Sequence, residues 1–228
     1  MSTTSGQNAR NAGRAARSRL KRGFDVAAAS VALALLLPVM MAAAAAVWIS
    51  VGRPILFRQT RPGYKGVPFR MYKFRTMRQP RAGELWYNTD AERLTGAGRF
   101  LRRTSIDELP ELWNVLRGEM SLVGPRPLLV EYMDKYTPEQ HRRHEVRPGI
   151  TGWSQVNGRQ NIPFSRRLEL DVWYVDHWSF RLDLKILMMT LAGLLSSRGV
   201  VSGQDVREVD DLGLLADAPA RPAEAERR

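Results

Sequence analysis

The feature that most constrains this chain is the segment from Val26 to Val51, in which no residue is charged. As a straight helix it would reach about 39 Å, more than the roughly 30 Å hydrocarbon core of a bilayer. It is too long for the apolar part of a secretory signal, and no convincing cleavage pattern accompanies it. By length alone it reads as a transmembrane helix. Two details complicate a simple span. Pro38 sits near the middle, where it removes a backbone donor and clashes with the preceding turn, so a kink is expected. Both flanks are also basic: Arg10, Arg14, Arg17, Arg19, Lys21 and Arg22 precede the segment, and Arg53, Arg58, Arg61 and Lys65 follow it. A span would leave one positive cluster on the wrong side of the membrane, whereas a helix-break-helix hairpin keeps both on the cytoplasmic face. Each limb of such a hairpin, roughly 18 Å long, enters about one leaflet. The residues alone leave the kinked span and the hairpin open.

With a formal net charge of +12 over 228 residues, an anion is expected among the partners: nucleic acid, phospholipid headgroups or a phosphorylated substrate. Thirteen Lys or Arg against three Asp or Glu fall between Gly52 and Arg103. The absence of cysteine excludes disulfides, thiolate chemistry and cysteine-ligated metal. His141 and His144 lie in a His-Arg-Arg-His run that reads as an exposed helix face, since zinc wants three or four converging ligands.

The chemistry concentrates in Arg99 to Trp113 and in the loop Ser121 to Pro127. Ser105 and Glu108 match a capping box. Ile106, Leu109, Leu112, Trp113 and Leu116 then recur at helical spacing, and Gly118 is a stop. On that reading Asp107 and Glu108 occupy a first turn, at the positive end of the macrodipole. Pro110 allows another register, in which the regular helix begins nearer the proline and leaves both acids in the turn before it. Arg126 stands between Pro125 and Pro127, which fix φ on either side and hold the guanidinium with little entropy left to lose.

Elsewhere, Val67 to Met77 alternates apolar and basic residues as a half-buried strand or irregular ribbon would, placing Lys73 and Arg75 on one face. Arg147 to Arg159 is rich in turn formers and reads as a structured loop or hairpin. Leu168 to Val175 is ambiguous between strand and helix. Leu184, Leu187, Leu191 and Leu194 mark an amphipathic helix, packed on the core or lying on the bilayer.

Taken in order, these stretches resemble one family. Lys21-Arg22, the central Pro38, Tyr72-Lys-Phe-Arg-Thr-Met77, Arg102-Arg-Thr-Ser-Ile-Asp-Glu-Leu-Pro110, Leu122-Val-Gly-Pro-Arg-Pro127, Pro148-Gly-Ile-Thr-Gly-Trp153 and Leu182-Asp-Leu-Lys-Ile-Leu187 are similar to the bacterial sugar transferases of the monotopic polyprenyl-phosphate phosphoglycosyl transferase superfamily, in its minimal form. The resemblance covers about residues 20–204. It implies transfer of a phospho-sugar from a UDP-sugar to undecaprenyl phosphate with release of UMP, dependent on Mg²⁺, as the first step of glycan assembly at the cytoplasmic face of the inner membrane. It implies a re-entrant hairpin broken at Pro38, although the family often has Ser before that proline and this chain has Leu37, which cannot bond a freed carbonyl. It also assigns Asp107 as the nucleophile, Glu108 as the second acid and Mg²⁺ ligand, and Lys73, Arg102 and Arg126 as substrate-binding cations.

The expected architecture is therefore α+β and mostly helical, a monotopic protein with a re-entrant hairpin and amphipathic interfacial helices. Its parts are a disordered basic N-terminus (1–20), the hairpin (21–52), a cytoplasmic catalytic domain (53–204) and a disordered tail (205–228). Homo-oligomerisation is left open, and no nucleic-acid partner is expected. The competing class, a basic membrane-attached nucleic-acid binder or scaffold, rests on charge alone and lacks a recognition signature.

Overall fold

The computed structural model describes residues 3–79, 90–158, 162–195 and 211–213. Helix α1 (Thr3–Ser50) carries the apolar segment together with the basic stretch before it. The residues 1–20 expected to lack order are thus helical from Thr3, in keeping with their alanine and arginine content. The break expected at Pro38 does not separate two helices: Pro38 lies inside α1. From Arg19 to Ser50 the helix is long and apolar enough to cross a membrane.

One stripe of α1 rests on the remainder of the chain. Asp25, Ala29, Ala43 and Val47 are buried, with Ala32, Leu33, Leu36, Met40 and Ala44 half-buried between them. That is the spacing of one helix face. The other side, including Val31, Leu35, Leu37, Met41 and Ile49, is exposed and apolar. Ala29 packs with Phe69, Met71, Leu112, Val115 and Met120, and further along Ala43 and Val47 pack with Phe74 and Leu101. One body therefore holds both ends of the apolar segment.

That body begins with an antiparallel hairpin of β1 (Leu56–Pro62) and β2 (Pro68–Phe74), in which Leu56 lies opposite Phe74 and Pro62 opposite Pro68. The alternation in the sequence is β2 itself, with Phe69 and Met71 inward. Arg75 falls past the strand end, so it does not line up with Lys73. It is buried and donates to the carbonyls of Arg53 at 2.9 Å and Met77 at 3.1 Å.

The short α2 (Asp90–Arg93) precedes α3 (Gly96–Thr104), whose N-cap Thr95 accepts from Gly98 N at 3.0 Å. Ser105 is not the capping-box residue that the sequence suggested. It closes α3 in the left-handed region at φ 56°, and its side chain caps nothing. A single 3₁₀ turn, Ile106–Glu108, follows, and α4 (Glu111–Arg117) starts only after Pro110, ending at Gly118 with φ 80°. The register allowed by Pro110 is the one adopted.

β3 (Ser121–Val123) and β4 (Gly149–Thr151) pair in parallel, Ser121 opposite Gly149 and Val123 opposite Thr151. Between them lie α5 (Pro138–His141) and a 3₁₀ turn, Arg142–Glu145. The glycine-rich stretch that read as a loop or hairpin thus supplies a strand and a short helix, α6 (Trp153–Val156). His141 is exposed as expected, but His144 is buried beside Tyr136, because the 3₁₀ turn carries its ring inward. α7 (Phe164–His177) resolves the ambiguous segment as helix, and α8 (Phe180–Leu195) follows.

The start of α1 is tied to this end of the chain. Lys21 pairs with buried Asp183, which also accepts from Tyr174 Oη at 2.6 Å and Trp178 Nε1 at 3.1 Å, while Phe24 meets Phe180 edge-on. On α8, Phe180, Leu184, Met188, Leu191 and Leu194 are exposed in a second apolar stripe. The architecture is α+β and mostly helical, with an apolar N-terminal helix suited to a membrane. Apart from 211–213, the tail 205–228 lies outside the described residues.

Candidate active site

Three segments converge on the two acids. The first is β2, whose outer edge is pinned to α4 by buried Asn114. Its amide donates to Arg70 O at 2.6 Å and accepts from Tyr72 N at 3.1 Å. That bridge satisfies backbone groups which β1 does not reach, and it fixes the strand that carries Lys73 over the 3₁₀ turn. The second is the turn itself. Following the left-handed reversal at Ser105, Asp107 and Glu108 are held between α3 and α4.

The third is the loop after β3. Gly124 N donates to Thr151 O at 2.9 Å, and Gly149 N donates to Pro125 O at 3.0 Å. The approach is so close that a Cβ on Gly124 would lie 2.3 Å from Arg147 O. Glycine is required there by space. The flanking prolines then present Arg126.

The side chains meet around Glu108. Lys73 Nζ donates to Glu108 Oε1 at 2.7 Å, and Arg126 pairs with the same oxygen while its second nitrogen reaches Oε2 at 3.5 Å. Burial would raise the Glu108 carboxyl, but the Arg126 guanidinium and Lys73 ammonium outweigh it and hold it well below the usual carboxylate range. Lys73 also lies 3.1 Å from Oε1 of Glu111, within ion-pair reach but without hydrogen-bond alignment. Burial pushes the Glu111 carboxyl up to about 7, with Lys73 opposing the shift and Glu108 adding to it.

Asp107 differs from its neighbour. It is buried, yet among the described residues no hydrogen bond or ion pair reaches its carboxylate. Burial and the adjacent Glu108 raise its pKa, against Lys73, Arg102 and Arg126. Arg102 stands at the rim, exposed, its Nε donating to Thr76 Oγ1 at 3.0 Å. Lys73, Glu108 and Arg126 thus share direct contacts, Asp107 and Arg102 adjoin them, and Pro38 lies away on α1. Glu111 and Asn114 escaped the sequence reading. Both look like solvated helix positions until β2 covers them, and only their spacing from Glu108 and from Leu112 and Val115 hinted at an inward face.

Two cations therefore clamp one acid, while the buried carboxylate beside it has no partner among the described residues. The donor set also suits Mg²⁺. Among the described residues no group of three or more His, Asp or Glu is arranged to hold a metal. Mg²⁺ beside a substrate phosphate takes only one or two protein carboxylates, and Glu108 would be the one supplied here.

Comparison with known proteins places the chain in a family. The family described as bacterial sugar transferase matches residues 16–197. A Bacillus subtilis protein named uncharacterized sugar transferase EpsL is 52% identical over 181 residues, covering 79% of this chain and 90% of that protein. A Caulobacter vibrioides UDP-glucose:undecaprenyl-phosphate glucose-1-phosphate transferase is 43% identical over 187 residues, covering 78% and 70%. The exopolysaccharide production protein ExoY of Rhizobium meliloti is 38% identical over 196 residues, covering 78% and 87%.

Proposed function

We propose that this chain, which belongs to the bacterial sugar transferase family, transfers a phospho-sugar from a UDP-sugar to undecaprenyl phosphate and so begins the assembly of an exopolysaccharide or related glycan. The observation that carries the mechanism is the contrast between the two acids. Glu108 is clamped by Lys73 and Arg126, whereas the adjacent Asp107 carboxylate is unpaired. An Asp107 oxygen attacks the β-phosphorus of the UDP-sugar. The P–O bond to the α-phosphate breaks, and UMP departs with the bridging oxygen and its electron pair. The enzyme is left as a phosphosugar-aspartyl anhydride. An oxygen of undecaprenyl phosphate then attacks the same phosphorus, the bond to Asp107 breaks, and the carboxylate is regenerated.

Two anions meet in each step, so charge must be offset at the moment of reaction. Arg126 presents a planar fork from a rigid loop, Lys73 a point charge from β2, and Arg102 a third cation at the rim. Glu108 would hold Mg²⁺, which supplies Lewis-acid stabilisation of charge developing on the diphosphate. Its position one residue from Asp107 puts the nucleophile beside the residue that would hold the metal.

The lipid substrate requires a membrane setting. The apolar face of α1 and the exposed stripe of α8 provide it, and both ends of the apolar segment are held by one body. A domain cannot hold both ends of a segment whose ends lie on opposite sides of a bilayer. This supports re-entry of residues 21–52 through the cytoplasmic leaflet of the inner membrane, with α8 lying in the interface.

The test is UMP release from a panel of UDP-sugars with undecaprenyl phosphate and Mg²⁺. Asp107→Asn should abolish release, and Glu108→Gln should slow it and raise the Mg²⁺ requirement. Full activity in Asp107→Asn would overturn the mechanism.

A further inference from the structure

A buried ion pair lies behind the Arg126 loop, in contact with no group assigned a part in the chemistry except the backbone of Arg126. Arg143, on the 3₁₀ turn Arg142–Glu145, has one terminal nitrogen 2.7 Å from Asp171 Oδ2 and 2.6 Å from the carbonyl oxygen of Arg126. Its other terminal nitrogen donates to Tyr136 Oη at 3.1 Å. Asp171, on α7, uses its second oxygen to accept from Ser154 Oγ at 2.7 Å. Both side chains are almost fully withdrawn from water, at 1% and 2% exposure.

Such a pair is poor glue. Desolvating two charges offsets most of their attraction, and apolar residues of similar volume commonly stabilise as well. What an apolar pair could not do is donate to the carbonyl of residue 126. Pairing between the β3 and β4 segments fixes Gly124 N and Pro125 O, and it stops there. The prolines at 125 and 127 fix their own φ, and Pro127 confines ψ of Arg126 to the extended region; within that range the orientation of the Arg126 peptide is set by what holds its carbonyl. From the described residues, Arg143 is what holds it.

We propose that Arg143, seated by Asp171, is a positioning residue that sets the peptide of Arg126 and so aims the Arg126 guanidinium at the diphosphate. This rests on the reading of Arg126 as a phosphate-binding cation. Arg143 itself touches no substrate. Its effect is to lower the freedom of a side chain that pairs with Glu108 and meets the incoming anion, so its loss is felt where phosphate is bound.

The variant Arg143→Met with Asp171→Asn removes the pair at similar volume and leaves no unpaired charge. Turnover, inhibition by UDP, inhibition by uridine and melting temperature are measured for it, for Arg126→Ala, and for the combination. Binding of UDP should weaken about tenfold, as should kcat/KM for the UDP-sugar, while uridine inhibition stays within twofold and melting shifts by only a few degrees. In the Arg126→Ala background the same two substitutions should cost less than twofold, because the group they act through is gone. An equal loss in both backgrounds, or equal weakening of UDP and uridine, would show a general structural role and overturn the proposal. If the double variant does not fold, Arg143→Lys is measured identically, and a retained UDP-to-uridine ratio when turnover falls overturns it as well. Should Arg126→Ala itself leave UDP inhibition unchanged, the phosphate-binding reading of Arg126 fails, and this proposal fails with it.

Discussion

Replacing Glu111 by glutamine is expected to remove a pH dependence of stability. The wild-type carboxyl has almost no exposure and titrates near 7, whereas in an unfolded chain it would titrate near 4.3. A carboxyl whose folded pKa is raised binds its proton more tightly in the native state. Stability from this group is therefore complete below the unfolded value and is lost as pH rises towards the folded one. Over the practical window from pH 5.5 to 8, the loss runs from 5.5 to about 7, or about 1.5 units at ~1.36 kcal/mol each, giving about 2 kcal/mol. For a chain of this size that corresponds to about 4–8 °C in melting temperature. Glutamine has the same shape and no charge to desolvate, so the variant should lack this decline. The assay is thermal unfolding of both proteins in one detergent, at half-unit pH steps, with the difference between the curves taken at each pH. That subtraction removes what is common to both proteins. Parallel curves would refute the argument, because Glu111 would then be either ionised throughout or well solvated.

Three further outcomes are expected. Arg126→Ala should lower turnover of every UDP-sugar by a similar factor, about 30- to 1000-fold (~2–4 kcal/mol), with Arg126→Lys only partly restoring it, in a steady-state comparison across sugars. Gly124→Ala should destabilise the protein by about 1–3 kcal/mol in thermal unfolding and depress UDP-sugar turnover more than a core substitution of equal cost, because the added methyl group collides with the backbone that seats the Arg126 loop. Single cysteines near Arg14 and near Lys65 should both be shielded from an impermeant thiol reagent in intact cells; labelling of the Arg14 site alone would establish a full span.

The sequence exposed the site through local chemistry and hid what depends on distant partners. Asp107 and Glu108 beside arginines, the bracketed Arg126 and the alternation around Lys73 are each readable within a few residues. Ser105 misled because its spacing to Glu108 matches a cap, while the glycines at 96 and 98 masked the helix before it, so its left-handed closing role went unseen. The β3–β4 pair escaped because strands of three residues carry little periodicity, and their glycines, needed for the close approach of two backbones, mimic a loop. Arg143 and Asp171 lie 28 positions apart, and nothing local marks either as buried. His144 misled in the same way, its ring turned inward from a charged run.

The contrast between a clamped Glu108 and an unpaired Asp107 is tested most directly by intact-mass spectrometry of the wild-type enzyme mixed with UDP-sugar and Mg²⁺ in the absence of undecaprenyl phosphate. The protein should gain the mass of one phosphosugar, the adduct should map to Asp107, and UMP should appear in equal amount. Added undecaprenyl phosphate should discharge it, and Asp107→Asn should never acquire it. If rapid quenching shows no adduct at any time and UMP forms only when the lipid acceptor is present, the lipid phosphate attacks directly and Asp107 is not the nucleophile.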